Sequence, residues 1–281
     1  IFSRDGALPF EMTAQLVSPE FHDFGMEVSG SSVNGLQAAF MQSWLQHGRR
    51  LNPELSDDAF AKRYFRASED LPAKRETSVK MVHSVPGADS EFRQSALAVI
   101  DAAKTTLDVN FPYILIPEFL EHLKAAAARG VKIRLLTLSK EGTDVEICWR
   151  ITSTWYPELF AAGDVSIHEF QTYSHCKFMV ADRRLVFTSS GNPEWQSWEW
   201  ASDSSALIDS RDFAAEVERQ IFDKDMSPER SRRVTPEEVA ARSCWQRFLG
   251  TLSNVLSWLF QKPRFFRLRP RRKLLNSLSW T

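Results

Sequence analysis

From Val79 onward the chain alternates between short apolar runs of strand length and amphipathic stretches of helix length. No other feature constrains the fold as strongly. Strands separated by helices cannot all be joined as hairpins; they must share a sheet that those helices cover. The strand candidates are 79–85, 105–111, 131–138, 164–170, 176–181, 184–189 and 204–208, and the helix candidates are 90–104, 117–129, 143–162 and 211–224. Gly130 and Gly163 stand where two of the helices should end. The pattern predicts an α/β fold, a mixed, mostly parallel β-sheet flanked by helices on both faces.

The flanks differ in character. Met26 and Val28 alternate as in a short strand, Gly30-Ser31-Ser32 reads as a turn, and Val33, Leu36, Phe40, Trp44 and Leu45 recur at helical spacing. Residues 48–78, polar and punctuated by Pro53 and Pro72, read as a connector. Beyond Ser231, Trp245, Phe248, Leu249, Leu252, Val255, Leu256 and Leu259 share one helical face. Seven of the 35 basic residues and none of the 36 acidic ones lie in 262–281, so the other 261 residues carry a net charge of −8. An acidic body thus bears a basic tail that seeks anionic surfaces. Three regions follow: 1–78, 79–230 and 231–281. A composition of 43% hydrophobic and 25% charged residues excludes a disordered chain, and no apolar run approaches the roughly 18 residues of a membrane-spanning helix. Cys148, Cys176 and Cys244 lack the spacing of a zinc or redox pair.

The segment from Tyr173 to Asp203 carries the chemistry. His175 and Lys177 sit two residues apart and share one side of a strand. Ser190 and Asn192 follow the next strand. The lysine would neutralise phosphate charge, the hydroxyl and amide would donate hydrogen bonds, and the imidazole would attack or transfer a proton. His83 and His168 fall in strand candidates and read as structural, as does Cys176, whereas Trp195, Trp198 and Trp200 read either as packing around the site entrance or as contacts for an acyl chain or headgroup.

His175-Cys176-Lys177, Asp182, and after six residues Ser189-Ser190-Gly191-Asn192 resemble the H-x-K-x(4)-D signature of the phospholipase D superfamily. The likeness spans residues 79–230 and includes Phe111-Pro112-Tyr113 and Ala128-Arg129-Gly130-Val131-Lys132-Ile133. Eleven residues after Asn192 the family has a carboxylate that orients the histidine; here it is Asp203, where glutamate is commoner, and Ser189 replaces a commoner glycine. The resemblance implies His175, Lys177, Asp182 and Asp203 as catalytic residues, with Asp182 supporting the site's structure. Lys177, Ser190 and Asn192 would hold the phosphate.

The family's reaction runs through a phosphohistidine, uses no metal or other cofactor, and needs two such motifs. Only one is complete here. His122-Leu123-Lys124 has Arg129 where aspartate is needed and lies in a helix, so it reads as a surface coincidence. The stretch from His22-Asp23 to Trp44 resembles the segment that follows the first motif in two-motif bacterial cardiolipin synthases and related phosphatidyltransferases. The second half would then come from upstream of residue 1 or from a homodimer, with His175 as general acid or nucleophile. The implied activity is phosphatidyl transfer on phospholipids. The alternatives are a metal-independent nuclease or phosphodiesterase, with nucleic acid as partner, and a non-catalytic lipid-binding half. Residues 245–273 would meet an anionic membrane surface, placing the protein on the cytoplasmic face of a bacterial inner membrane.

Overall fold

The computed structural model describes residues 22–28, 77–84 and 90–242, together with 33, 35–38, 40, 41, 56, 59 and 63. The expectations for Trp44 and Leu45, for most of the 48–76 connector and for the 245–273 tail lie outside the described residues.

The elements run β1 (Ser78–Ser84), α1 (Glu91–Ala102), β2 (Thr106–Asn110), α2 (Pro117–Ala128), β3 (Lys132–Leu138), α3 (Glu146–Thr154), α4 (Tyr156–Ala162), β4 (Val165–Phe170), β5 (Phe178–Ala181), β6 (Leu185–Ser189), β7 (Asp203–Asp209), α5 (Arg211–Val217), β8 (Ser231–Val234) and α6 (Pro236–Ala240). The eight strands form one sheet in the order β1-β7-β6-β5-β2-β3-β4-β8. The sheet is mixed, but the expected parallel majority is corrected. Only β2–β3 and β3–β4 pair parallel; the other five pairs are antiparallel. Helices follow β2 and β3 and return the chain for a parallel neighbour, whereas β5 and β6 are linked by Asp182-Arg183-Arg184 alone. A link that short permits only a hairpin.

Alternation along the strands divides the apolar residues between two faces. Leu107, Val109, Met179, Ala181 and Phe187 meet Phe92, Ala96, Phe119 and Leu120 of α1 and α2 in one core. Phe178, Val180, Val186, Ala206 and Ile208 meet Ala214, Val217 and Phe222 in a second. Helices therefore cover both faces, as expected, and the central strands β2 and β5 are buried on both sides. Gly130 follows α2 with φ of 90°, a left-handed conformation that an L side chain resists.

Three further expectations change. The predicted helix over 143–162 is two helices that meet at Trp155, because Pro157 has no N–H to donate into the turn behind it. Residues 23–28 are not a strand, although Phe24 and Met26 still pack on the second core. The folded unit also continues past 230, since β8 pairs with β4. There the buried Glu169 of β4 accepts hydrogen bonds from Arg232 at 2.6 Å, Trp149 at 2.8 Å and Tyr156 at 3.1 Å. A lone carboxylate at that depth would be costly; this one is paired and fully hydrogen-bonded.

Asp182 sits in the β5–β6 turn, where it and Arg183 have φ of 52° and 53°. Its carboxylate accepts from the backbone N–H groups of Lys104, Thr105 and Thr106 and from the Thr105 hydroxyl, at 2.7–3.1 Å. Burial pushes its carboxyl up, but the donors of Thr105, Thr106 and Lys104 outweigh that and hold it below the usual value. Asp182→Asn keeps the turn's conformational tolerance and removes the charge. It should destabilise the fold by about 2 kcal/mol at neutral pH. A carboxyl depressed by folding stabilises above its unfolded pKa and ceases to do so as pH falls through its folded one. Urea unfolding should therefore show the gap between the two proteins closing in acid.

Candidate active site

The site lies where β2, β3 and β4 end and β5 and β7 begin, at the edge of the sheet where α/β proteins open a crevice. His175 precedes β5, and its backbone N–H donates to the carbonyl of His22 at 2.8 Å, while the His22 N–H donates to the carbonyl of Tyr173 at 3.2 Å. His22 and Ser174 thus form a parallel bridge. Two contacts anchor this strap: His22 Nε2 lies 2.8 Å from the fully buried Asp225, and the Phe24 ring packs 3.9 Å from that of Phe178.

Between those anchors Asp23 turns its carboxylate onto His175, with Oδ2 3.2 Å from Nδ1, and its Oδ1 accepts from the Phe24 N–H at 2.8 Å. Burial works to raise the Asp23 carboxyl, yet the hydrogen bond to His175, the charge of that imidazole and the Lys177 ammonium hold it below the ordinary range. Tyr173 stacks its ring on His175 with 6.4 Å between centroids and 16° between planes. Asp203 was expected to orient His175. It instead accepts a hydrogen bond from the Ser190 hydroxyl at 2.7 Å, and its Oδ2 is buried without a partner among the described residues. The carboxylate on His175 comes from a segment 152 residues away, so motif spacing could not reveal it.

Lys177 is only 1% exposed. Its ammonium donates to the carbonyl of His175 at 2.8 Å. Burial pulls its pKa down to about 8, against the raising effect of Asp23, Cys176, Glu194 and Asp203. Glu194 was not foreseen, although it stands just two residues after Asn192. Burial raises its carboxyl, with Asn192 and Lys177 pulling the other way. Asn192 is 8% exposed, its Nδ2 reaches Glu194 at 3.5 Å, and its Oδ1 has no partner among the described residues. Gly191 is required here: a Cβ would come within 2.8 Å of the Asp203 carboxylate.

The structure thus brings together His175, Lys177, Asn192 and Asp203 of the expected set, and adds Asp23 and Glu194. Ser190 is adjacent, but its one proton goes to Asp203 while its oxygen accepts from the Ser204 N–H at 3.1 Å. Asp182 stands apart, five residues of extended strand and roughly 16 Å beyond Lys177; its work is the turn described above. His122 pairs with Asp101 and Lys124 with Glu121 and Glu158 on the surface, so the second H-x-K is no part of a site. Cys176 and Trp198 are buried, and Trp195 packs against the first core; the Trp200 side chain lies outside the described residues. His83 Nδ1 lies 3.1 Å from the Ser204 hydroxyl, and His168 is half-buried on β4. Among the described residues, no group of three or more His, Cys, Asp or Glu side chains is placed to hold a metal ion.

Comparison with known proteins points the same way. A family model described as cardiolipin synthase, PLD-like domain matches residues 96–226. A cardiolipin synthase of Listeria welshimeri is 28% identical over 244 residues, covering 84% of this chain and 47% of that protein. Cardiolipin synthase 1 of Bacillus anthracis is 25% identical, covering 85% of this chain and 46% of that protein. The chain therefore spans about half the length of the curated relatives it matches. A crystal structure of phosphatidylserine synthase from Haemophilus influenzae shares the fold, with a TM-score of 0.53, 15% identity, and coverage of 70% of this chain and 49% of that one. Residues 96–226 thus match the model of a cardiolipin synthase, PLD-like domain, and the chain as a whole is similar to bacterial cardiolipin synthases.

Proposed function

We propose that this chain forms part of a phosphatidyltransferase of cardiolipin synthase type, an enzyme that moves a phosphatidyl group between alcohols through a phosphohistidine. The observation that carries the reading is the convergence of an imidazole held through Nδ1 by Asp23 with a buried ammonium and a buried amide. The names of the cardiolipin synthases and of the phosphatidylserine synthase agree with phospholipid as the substrate class. With Nδ1 turned to Asp23, Nε2 is the nitrogen that attacks phosphorus or carries the proton to the leaving oxygen. Lys177 and Asn192 hold the phosphoryl oxygens, and Ser190 acts through Asp203.

A second half of the site supplies the other histidine, either from sequence upstream of residue 1 or from a second copy. The His175–Asp23 pair gives this reading its form. It joins the motif's histidine to a carboxylate in the segment that resembles the end of a first half. By the same rule the unpartnered Asp203 Oδ2 awaits Nδ1 of the other histidine. The decisive experiment incubates the full-length protein with phosphatidylglycerol in EDTA, beside its His175→Ala variant. Cardiolipin formed by the unmutated protein, with turnover at least about 100-fold lower in the variant, is the expected result. If lipid is untouched and DNA supplied in its place is cleaved, the superfamily's nuclease reading replaces this one. Products that persist in the variant would remove His175 from the chemistry.

Lys177 sets a pH dependence. In the ligand-free site it is charged below about 8 and neutral above. A phosphoryl anion favours the ammonium, so binding should take up a proton above about pH 8, up to the lysine's ordinary range, and none near pH 7. Titration calorimetry of inorganic phosphate in buffers of different ionisation enthalpy measures that uptake. Turnover should decline along the same alkaline limb.

No helix among the described residues is long and apolar enough to cross a membrane. The apolar face and basic run within 245–273 supply a peripheral contact with an anionic bilayer, at the cytoplasmic face of a bacterial inner membrane in this reading. Deleting 262–281 should weaken binding to phosphatidylglycerol vesicles, and added salt should erase most of the difference; sedimentation with the vesicles reads both.

A further inference from the structure

Three carboxylates gather around the Lys177 ammonium, and the chemistry above employs two. Asp23 holds His175, and Asp203 holds Ser190 while keeping one oxygen for a second histidine. Glu194 has neither task. Its Oε1 lies 3.5 Å from Asn192 Nδ2, at the outer limit of a hydrogen bond. A carboxylate beside a phosphoryl site repels anionic oxygen, so it is misplaced as a phosphate ligand. It is well placed to accept a hydrogen bond from a hydroxyl.

A second observation stands apart from that charge argument. The Asn192 side chain is more than nine-tenths buried, abuts Glu194, and leaves its Oδ1 without a partner among the described residues. A buried amide oxygen left unpaired is expensive unless a ligand supplies the donor. Glu194 and Asn192 therefore offer acceptor oxygens side by side. Burial, and then Glu194 and Asp144, push the thiol of Cys148 up to about 12. Asp144 in turn accepts from the Tyr113 hydroxyl.

We infer that Glu194, with Asn192, receives the acceptor alcohol and selects a polyol over a simple alcohol by binding the hydroxyl next to the attacking one. The inference rests on the phosphatidyl-transfer reading. In the step concerned, the acceptor oxygen bonds to phosphorus as the nitrogen–phosphorus bond of the phosphohistidine breaks, and the hydroxyl proton passes to the other imidazole. Glu194 takes no proton from that oxygen; it holds the neighbouring hydroxyl, which water and a monoalcohol lack.

The test supplies the full-length protein with phosphatidylglycerol vesicles and equal concentrations of deuterated glycerol and 1-propanol. Mass spectrometry then counts deuterated phosphatidylglycerol, phosphatidylpropanol and phosphatidic acid. The unmutated protein should favour glycerol. Glu194→Ala should lower the glycerol-to-propanol product ratio about tenfold or more, since a hydrogen bond to a charged group is lost. Glu194→Gln, of the same shape and still an acceptor, should lower it less. A ratio unchanged in both variants overturns the inference and leaves phosphatidyl transfer standing. Equal loss of all three products in both variants also overturns it, because selection would then not be the residue's role. No product from the unmutated protein defeats the phosphatidyl-transfer reading itself, and this inference with it.

Discussion

An ammonium buried at the edge of a sheet is the demand that organises this molecule. Lys177 is 1% exposed, and a charge that deep needs compensation on more than one side. Three separate segments provide it: the strap at Asp23, the turn after β6 at Glu194, and the first residue of β7 at Asp203. None of the three lies beside Lys177 in sequence. Their assembly depends on the sheet register, which sets the start of β5 beside the ends of β2 and β6. In the function proposed above, the same burial leaves the Lys177 proton sensitive to an anion bound beside it.

The strap shows how a segment without regular structure can be fixed as firmly as a strand. His22 lends one bridge of backbone pairing and a hydrogen bond with buried Asp225, and Phe24 adds a ring packed on Phe178. Arg230 joins the same Asp225 at 3.0 Å. Asp23, held between anchors, is thereby delivered to His175 in one orientation. The coupling runs both ways, because the imidazole and the lysine are what keep that carboxylate ionised against burial.

Much of the fold was legible because its strands are short, apolar and set off by helices with clear ends. Seven of the strands lie within a residue or two of the sequence reading. The eighth, Ser231–Val234, was missed: Ser-Arg-Arg-Val carries too little apolar pattern to mark a strand, and its pairing depends on Arg232 reaching Glu169 across the sheet. The parallel majority failed for a related reason. Periodicity identifies strands, but direction follows from connection length and from which neighbour each strand finds. At the site, His175, Lys177 and Asn192 were readable because His175 and Lys177 lie two residues apart just before β5 and the β5–β6 hairpin returns the chain beside them. The role given to Asp203 was not readable in that way.

The sequence by itself determined the α/β alternation, the two-sided burial of the strands, and the placement of an imidazole, an ammonium and an amide at one edge, since local periodicity and spacing govern all of these. Only the tertiary structure decided that Asp23 rather than Asp203 meets His175, that Asp182 gives its support through the turn between β5 and β6, and that Glu194 acts on the same lysine. Each of those is a contact across the sheet or between distant segments, and its existence depends on how strands pair in three dimensions rather than on any interval along the chain.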